Sequence, residues 1–107
     1  MRTRIPFRRV DGEQALTLLR HPKLALYDVR LKDDYDNGHL PGARHLTVTG
    51  LSDVIARTPK ATPILIYCYH GYASQEYAQA LSDFGFEEVY SLDGGYAQWG
   101  RLAASAA

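Results

Sequence analysis

A single cysteine, Cys68, closes the apolar run Ile64-Leu65-Ile66-Tyr67 and opens the segment Cys68-Tyr69-His70-Gly71-Tyr72-Ala73-Ser74. A helix-like pattern begins directly after it. A thiol at the end of a strand, followed by a short loop and a helix N-terminus, sits where free backbone N–H groups and the helix dipole favour negative charge. The chemistry this predicts is that of a thiolate nucleophile. The backbone amides of Tyr69, His70, Gly71, Tyr72, Ala73 and Ser74 are the expected source of charge stabilisation, with Gly71 supplying close backbone approach or a positive φ. A lone cysteine is more often a small buried hydrophobe, but this position moves the reading toward a reactive sulfur. Asp28 and Arg30 end an earlier apolar run, where they either line the same site or form a structural salt bridge. His70 reads equally as loop filler or as a mild electrostatic helper. Tyr69 and Tyr72 either wall a pocket or simply pack, and His39 reads as a structural hydrogen-bonding residue beside a turn.

The elements that must position these residues alternate between strand-like and helix-like pieces. A short strand is expected at residues 7–10. Asp11 and Gln14 have capping-box spacing, and Ala15, Leu16 and Leu19 give the helix behind them an apolar face. Residues 24–29 read as a buried strand and 33–37 as a helical turn. Gly38-His39-Leu40-Pro41-Gly42 is dense in turn formers. A brief strand is expected at 44–46 and a helix at 51–57. Ile64-Leu65-Ile66-Tyr67 is short, apolar throughout and rich in branched residues, as in a strand covered on both faces. Ser74 is the expected N-cap of the next helix, Tyr77, Leu81 and Phe84 its apolar stripe, and Gly85 its C′ residue. Residues 87–92 read as a last strand, followed by a Gly94-Gly95 turn and a helix carrying Tyr96 and Trp99. This alternation predicts an α/β fold with a central parallel sheet of about five strands and helices on both faces. Sites in such sheets form at the carboxyl ends of strands. Asp28, Arg30 and Cys68 are all placed there.

The chain has 107 residues, enough for one domain with its own core. Residues 1–6 are expected to form an arm and 102–107 an Ala-rich tail, both flexible. Twelve Lys+Arg balance twelve Asp+Glu, which argues against nucleic acid as a partner. Four arginines among the first nine residues precede no apolar segment, so they do not read as a signal peptide. No apolar run approaches the roughly 18 residues of a membrane span. One cysteine makes neither an internal disulfide nor a thiolate-rich zinc site, so no metal is expected and a reducing, cytoplasmic setting is favoured. The short chain and balanced charge fit a monomer or a weak homodimer.

Three segments resemble the rhodanese family. They are Asp28-Val29-Arg30 with Asp34-Tyr35 and Gly38-His39-Leu40-Pro41-Gly42-Ala43, then Cys68 to Ser74 after its apolar strand, and then Leu92-Asp93-Gly94-Gly95-Tyr96 with Trp99. They occur in the family's order and spacing over most of the chain. The resemblance implies a rhodanese-like fold and a two-step sulfur transfer without a cofactor. The Cys68 thiolate takes the outer sulfur of thiosulfate or a related donor, sulfite leaves, and cyanide or a thiol such as that of thioredoxin accepts sulfur from the persulfide. Two departures stand out. Ala73 occupies a loop position where many members carry a basic residue, and Asp34 replaces the usual Glu.

Three other functions compete with this one. The same cysteine would serve a persulfide relay working with a protein partner: a desulfurase, thioredoxin or a cofactor-biosynthesis enzyme. A cysteine phosphatase or arsenate reductase needs an Arg at the end of a Cys-x5-Arg loop to grip its oxyanion, and the loop up to Ser74 contains none. A non-catalytic rhodanese-like module would typically have lost the cysteine.

Overall fold

The computed structural model describes the backbone of residues 5–106 and the side chains of residues 5–100. Residues 1–4 of the expected arm and the side chains of the expected tail lie outside that description. The elements run β1 (Arg8–Val10), α1 (Gly12–Leu19), β2 (Ala25–Asp28), α2 (Lys32–Asn37), β3 (Arg44–His45), α3 (Val48–Arg57), β4 (Ile64–Tyr67), α4 (Ala73–Asp83), β5 (Val89–Leu92) and α5 (Gly95–Ala106). The five strands pair in parallel in the order β1-β5-β4-β2-β3.

Side-chain alternation along the strands explains why their apolar runs are continuous. Leu26, Leu65, Tyr67, Tyr90 and Leu92 face one layer, where α1 and α5 supply Ala15, Leu18, Leu19, Tyr96 and Trp99. Tyr27, Ile64, Ile66 and Val89 face the other, against Leu51, Val54 and Ile55 of α3 and Ala78 and Leu81 of α4. Ile64, Leu65, Ile66 and Tyr67 are fully buried. β4 therefore has no solvent face on which a polar alternation could appear.

Local signals set several boundaries. The Asp11 carboxylate accepts the Gln14 amide at 2.8 Å, and the Gln14 side chain accepts the Asp11 amide at 2.9 Å, closing the capping box. At the end of α4, the Phe86 amide donates to the Leu81 carbonyl and the Gly85 amide to the Ser82 carbonyl. With Gly85 at φ +95° this is a Schellman end.

Three expectations need correction. First, α3 begins at Val48 rather than at residue 51. Its first turn contains Thr47, Thr49 and Gly50, which read as loop, and Thr47 makes no side-chain cap bond. Second, Phe84 lies outside the buried face of α4 and is exposed, because the stripe runs through Ser74, Ala78, Leu81 and Ser82. The reversed chain brings Phe86 into the core instead. Third, Ser74 is not the N-cap. Tyr72 holds that place without a side-chain bond, and Ser74 is a buried residue of the first helical turn. Its hydroxyl is spent on the cysteine.

Candidate active site

β4 lies between β5 and β2, with Asp28 in register beside Tyr67. The ends of β4 and β2 therefore bring Cys68 next to the Asp28-Val29-Arg30 segment, a proximity the sequence left open. Cys68, Arg30, Tyr69, His70, Tyr72 and Ala73 line one cavity of about 380 Å³, together with Val29, Leu31 and Asp34. Only 5% of Cys68 is exposed.

The loop folds back so that its amides meet the sulfur. The Gly71 N–H donates to Cys68 Sγ at 3.1 Å, and Gly71 adopts φ +98° to allow it. Ser74 Oγ lies 3.3 Å from Sγ, and Ser91 Oγ lies 2.8 Å behind Ser74 Oγ. Burial pushes the Cys68 thiol up, but the Ser74 hydroxyl and the amides of Ser74, Gly71 and His70 outweigh it, and the net direction is down. Of the six amides expected from the sequence, that of Gly71 makes the hydrogen bond to the sulfur.

The loop carbonyls are held on the opposite side. Those of Cys68 and Tyr69 accept the Tyr96 and Ala97 amides, both at 2.9 Å. The first turn of α5 thus fixes which way the loop peptides point. The Gly94-Gly95 turn and the helix start behind it are the support on which the cysteine loop rests. The Gln75 side chain donates to the Gly71 carbonyl at 2.7 Å and ties the loop to α4.

Asp28 and Arg30 form a buried pair. Arg30 Nη2 donates to Asp28 Oδ2 at 2.7 Å and to the Gly38 carbonyl at 2.6 Å, and Nε donates to the same carboxylate. The guanidinium stacks 3.8 Å over the Tyr96 ring. The pair ties β2 to the turn after α2, and Arg30 also contributes to the cavity wall. His39 accepts no role in the cavity: its ring stacks on Tyr35 at 3.8 Å and its Nδ1 meets the Tyr35 carbonyl at 2.8 Å. His45 Nε2 lies 2.6 Å from the Arg30 carbonyl and steadies the segment leading into the cavity.

Ser91 is the residue that sequence reading missed. It sits inside an apolar strand with nothing local to mark it, and only the pairing of β5 with β4 brings it behind Ser74. While Cys68 is a thiol, its S–H can donate to Ser74. Once it is a thiolate, the single Ser74 proton must turn to the sulfur, and Ser91 can then donate to Ser74. Both serines are fully buried, so each lost hydrogen bond goes uncompensated by water.

Ser91→Ala is therefore expected to raise the pH midpoint for alkylation of Cys68 by iodoacetamide and to slow the reaction at pH 7 by about two- to tenfold. Ser91→Thr should keep most of the rate. The sign follows from the direction of the shift: with the folded value lowered, the thiolate fraction falls as pH drops through it, and loading should slow in parallel. The stability gained from ionisation is complete above the ordinary thiol range and is lost as pH falls through the folded value.

Residues 11–102 match the family described as the rhodanese-like domain. The chain belongs to the rhodanese family. This rhodanese is 41% identical over 93 residues to the thiosulfate sulfurtransferase GlpE of Tolumonas auensis, covering 87% of this chain and 88% of that one. It is 38% identical over 93 residues to GlpE of Coxiella burnetii, covering 87% of each. Among solved structures, the Alr3790 protein from Anabaena sp. superposes with a TM-score of 0.75 at 27% identity, over 87% of this chain and 75% of that one. The five-stranded parallel sheet with helices on both faces is the rhodanese-like fold.

Proposed function

We propose that this rhodanese is a sulfurtransferase that moves a sulfane sulfur from thiosulfate or a related donor, through a persulfide on Cys68, to cyanide or a thiol acceptor. Thiosulfate sulfur transfer is the activity carried in the names of the two relatives above, which match along most of their own length. The single observation that carries the mechanism is the cysteine loop, with amide and hydroxyl donors converging on a sulfur whose ionisation they favour.

In the first step the Cys68 thiolate attacks the outer sulfur of thiosulfate. A new S–S bond forms, the bond within the donor breaks, and its electron pair leaves with sulfite. The persulfide formed is itself an anion, so the donors that stabilise the thiolate also stabilise the loaded enzyme. In the second step the acceptor attacks the outer sulfur and Cys68 leaves as the thiolate. No metal or organic cofactor is needed for either step, because the covalent intermediate sits on the protein. Phosphoester or arsenate chemistry is disfavoured by the absence of an Arg from the loop.

A sulfur carried on one unpaired thiol supports a reducing, cytoplasmic setting. Among the described residues, no helix is long and apolar enough to cross a membrane. The acceptor is proposed to be a small thiol or the thiol of a redox protein such as thioredoxin, with the enzyme working as a monomer or weak dimer.

A stopped reaction tests this reading. With thiosulfate and no acceptor, the enzyme should release a burst of a single equivalent of sulfite, and cyanide added afterwards should yield thiocyanate in matching amount. Sulfite released only when cyanide is already present would point to direct transfer and overturn the covalent route.

A further inference from the structure

We infer that a second cavity, at the amino end of β2, binds a small multiply charged anion of the phosphate class. This site is separate from the cysteine loop and does not depend on the sulfur-transfer reading. Two features carry it: three cations gathered with no acidic residue in the wall, and hydroxyl groups beside them.

The fold leaves this space open for a simple reason. β3 has only two residues and pairs with Tyr27 and Asp28, so the earlier part of β2 has no neighbouring strand on that side. Around the gap, Lys23 precedes β2, Arg44 opens β3, Arg57 ends α3, and Thr58 and Thr62 belong to the loop between α3 and β4. The cavity they line has a volume of about 340 Å³, within the range that holds a small ligand. It shares no lining residue with the cavity over Cys68, which lies at the other end of β2, where Asp28 is in register with Tyr67.

The chain as a whole is balanced, with twelve basic and twelve acidic residues, yet this wall holds Lys23, Arg44 and Arg57 and no Asp or Glu among the described residues. Lys23 and Arg44 have no ion-pair partner among the described residues. Arg57 Nε donates to Asp53 at 2.8 Å, but both side chains are well exposed, and a pair of that kind is worth little. Like charges facing one gap repel one another, and an anion placed among them turns that repulsion into attraction. The last turn of α3 also ends here, and its free carbonyls are the feature that opposes an anion. The Thr58 amide and the Lys60 ammonium already engage those of Val54 and Ile55, each at 3.0 Å. Guanidinium groups grip phosphate oxygens in pairs, and a lysine adds a point charge. The hydroxyls of Thr58 and Thr62 add further donors at the wall. A tetrahedral oxyanion with two or more charges uses this set, whereas a single carboxylate does not.

Amide shifts of the nitrogen-15-labelled full chain, followed by NMR during titration with pyrophosphate, inorganic phosphate and acetate, test both the place and the class. Pyrophosphate is expected to give saturable shifts at Lys23, Gly42, Arg44, Thr58 and Thr62, all of which line the cavity. It should bind about tenfold more tightly than phosphate, because its added charge meets a second cation, and acetate should give no saturable shift. The pyrophosphate shifts should persist after alkylation of Cys68. Lys23→Gln and Arg44→Gln should each weaken pyrophosphate about tenfold, the scale of one lost hydrogen bond to a charged group. Arg8→Gln removes the same charge from β1, at the opposite edge of the sheet, and should leave the affinity within about twofold. All three side chains are exposed, so the fold should survive each change. Shifts confined to the cysteine loop, shifts that grow without saturating, or equal weakening in Arg8→Gln would overturn the assignment.

Discussion

Cys68→Ser is expected to reduce thiocyanate formation from thiosulfate and cyanide by about ten-thousandfold or more, the scale of loss seen when a covalent nucleophile is removed. The two side chains have nearly the same shape. The serine hydroxyl would inherit the bond from the Gly71 amide and the contact with Ser74, so the fold should survive the change. What is lost is a group whose ionisation the loop favours and that holds a second sulfur. A serine hydroxyl offers neither, and the donors that lower the Cys68 thiol act too weakly to bring a hydroxyl into range. The assay is a colorimetric thiocyanate measurement, with circular dichroism confirming the fold. Retention of a tenth of the activity in this variant would mean that sulfur passes by another route.

The second large effect is expected far from any reacting atom. Gly95→Ala should lower kcat/KM by about a hundredfold, because a shift of roughly 1 Å in a reacting group is enough for a loss of that size. Gly95 has φ +56°, and a methyl group added there would lie 2.5 Å from the carbonyl oxygens of both Cys68 and Tyr69. Those carbonyls accept the bonds from α5 that aim the loop. The new methyl must push them away, and the loop that carries the Gly71 amide to the sulfur moves with them. The left-handed conformation adds a cost of about 1–2 kcal/mol for any residue with a Cβ, so the melting temperature should fall by about 5 °C or more.

Gly85→Ala separates the two causes. Gly85 has φ +95° with open space where the methyl would go. That variant should melt earlier yet keep its kcat/KM. Equal activity losses in the two variants would contradict the role assigned to the first turn of α5.

The parts of this account that were legible in the sequence share a property: their signal is local. The capping box at Asp11, the buried strand ending at Cys68, Gly71 in the loop and Gly85 at a helix end each depend on residues a few positions apart. The order of strands and helices followed from them. The roles of Ser91 and Gly95 depend instead on pairing between distant segments. Ser91 matters because β5 lies beside β4. Gly95 matters because α5 starts against the cysteine loop.

Ser74 was misplaced for a related reason. Serine near a helix start ordinarily caps it, and only the position of the sulfur shows that its hydroxyl has another partner. Phe86 takes the core place expected of Phe84 because the Schellman end reverses the chain between them. Asp28 and Arg30 remained open between site and scaffold. The structure shows a buried pair whose cation is largely spent on its neighbours.

The most direct test of the account is the intact mass of the protein after brief exposure to thiosulfate. The expected result is a gain of one sulfur, located on Cys68, removed by cyanide with release of thiocyanate and prevented by prior alkylation of that cysteine. An unchanged mass, or the same gain in Cys68→Ser, would contradict the claim that Cys68 carries the sulfur.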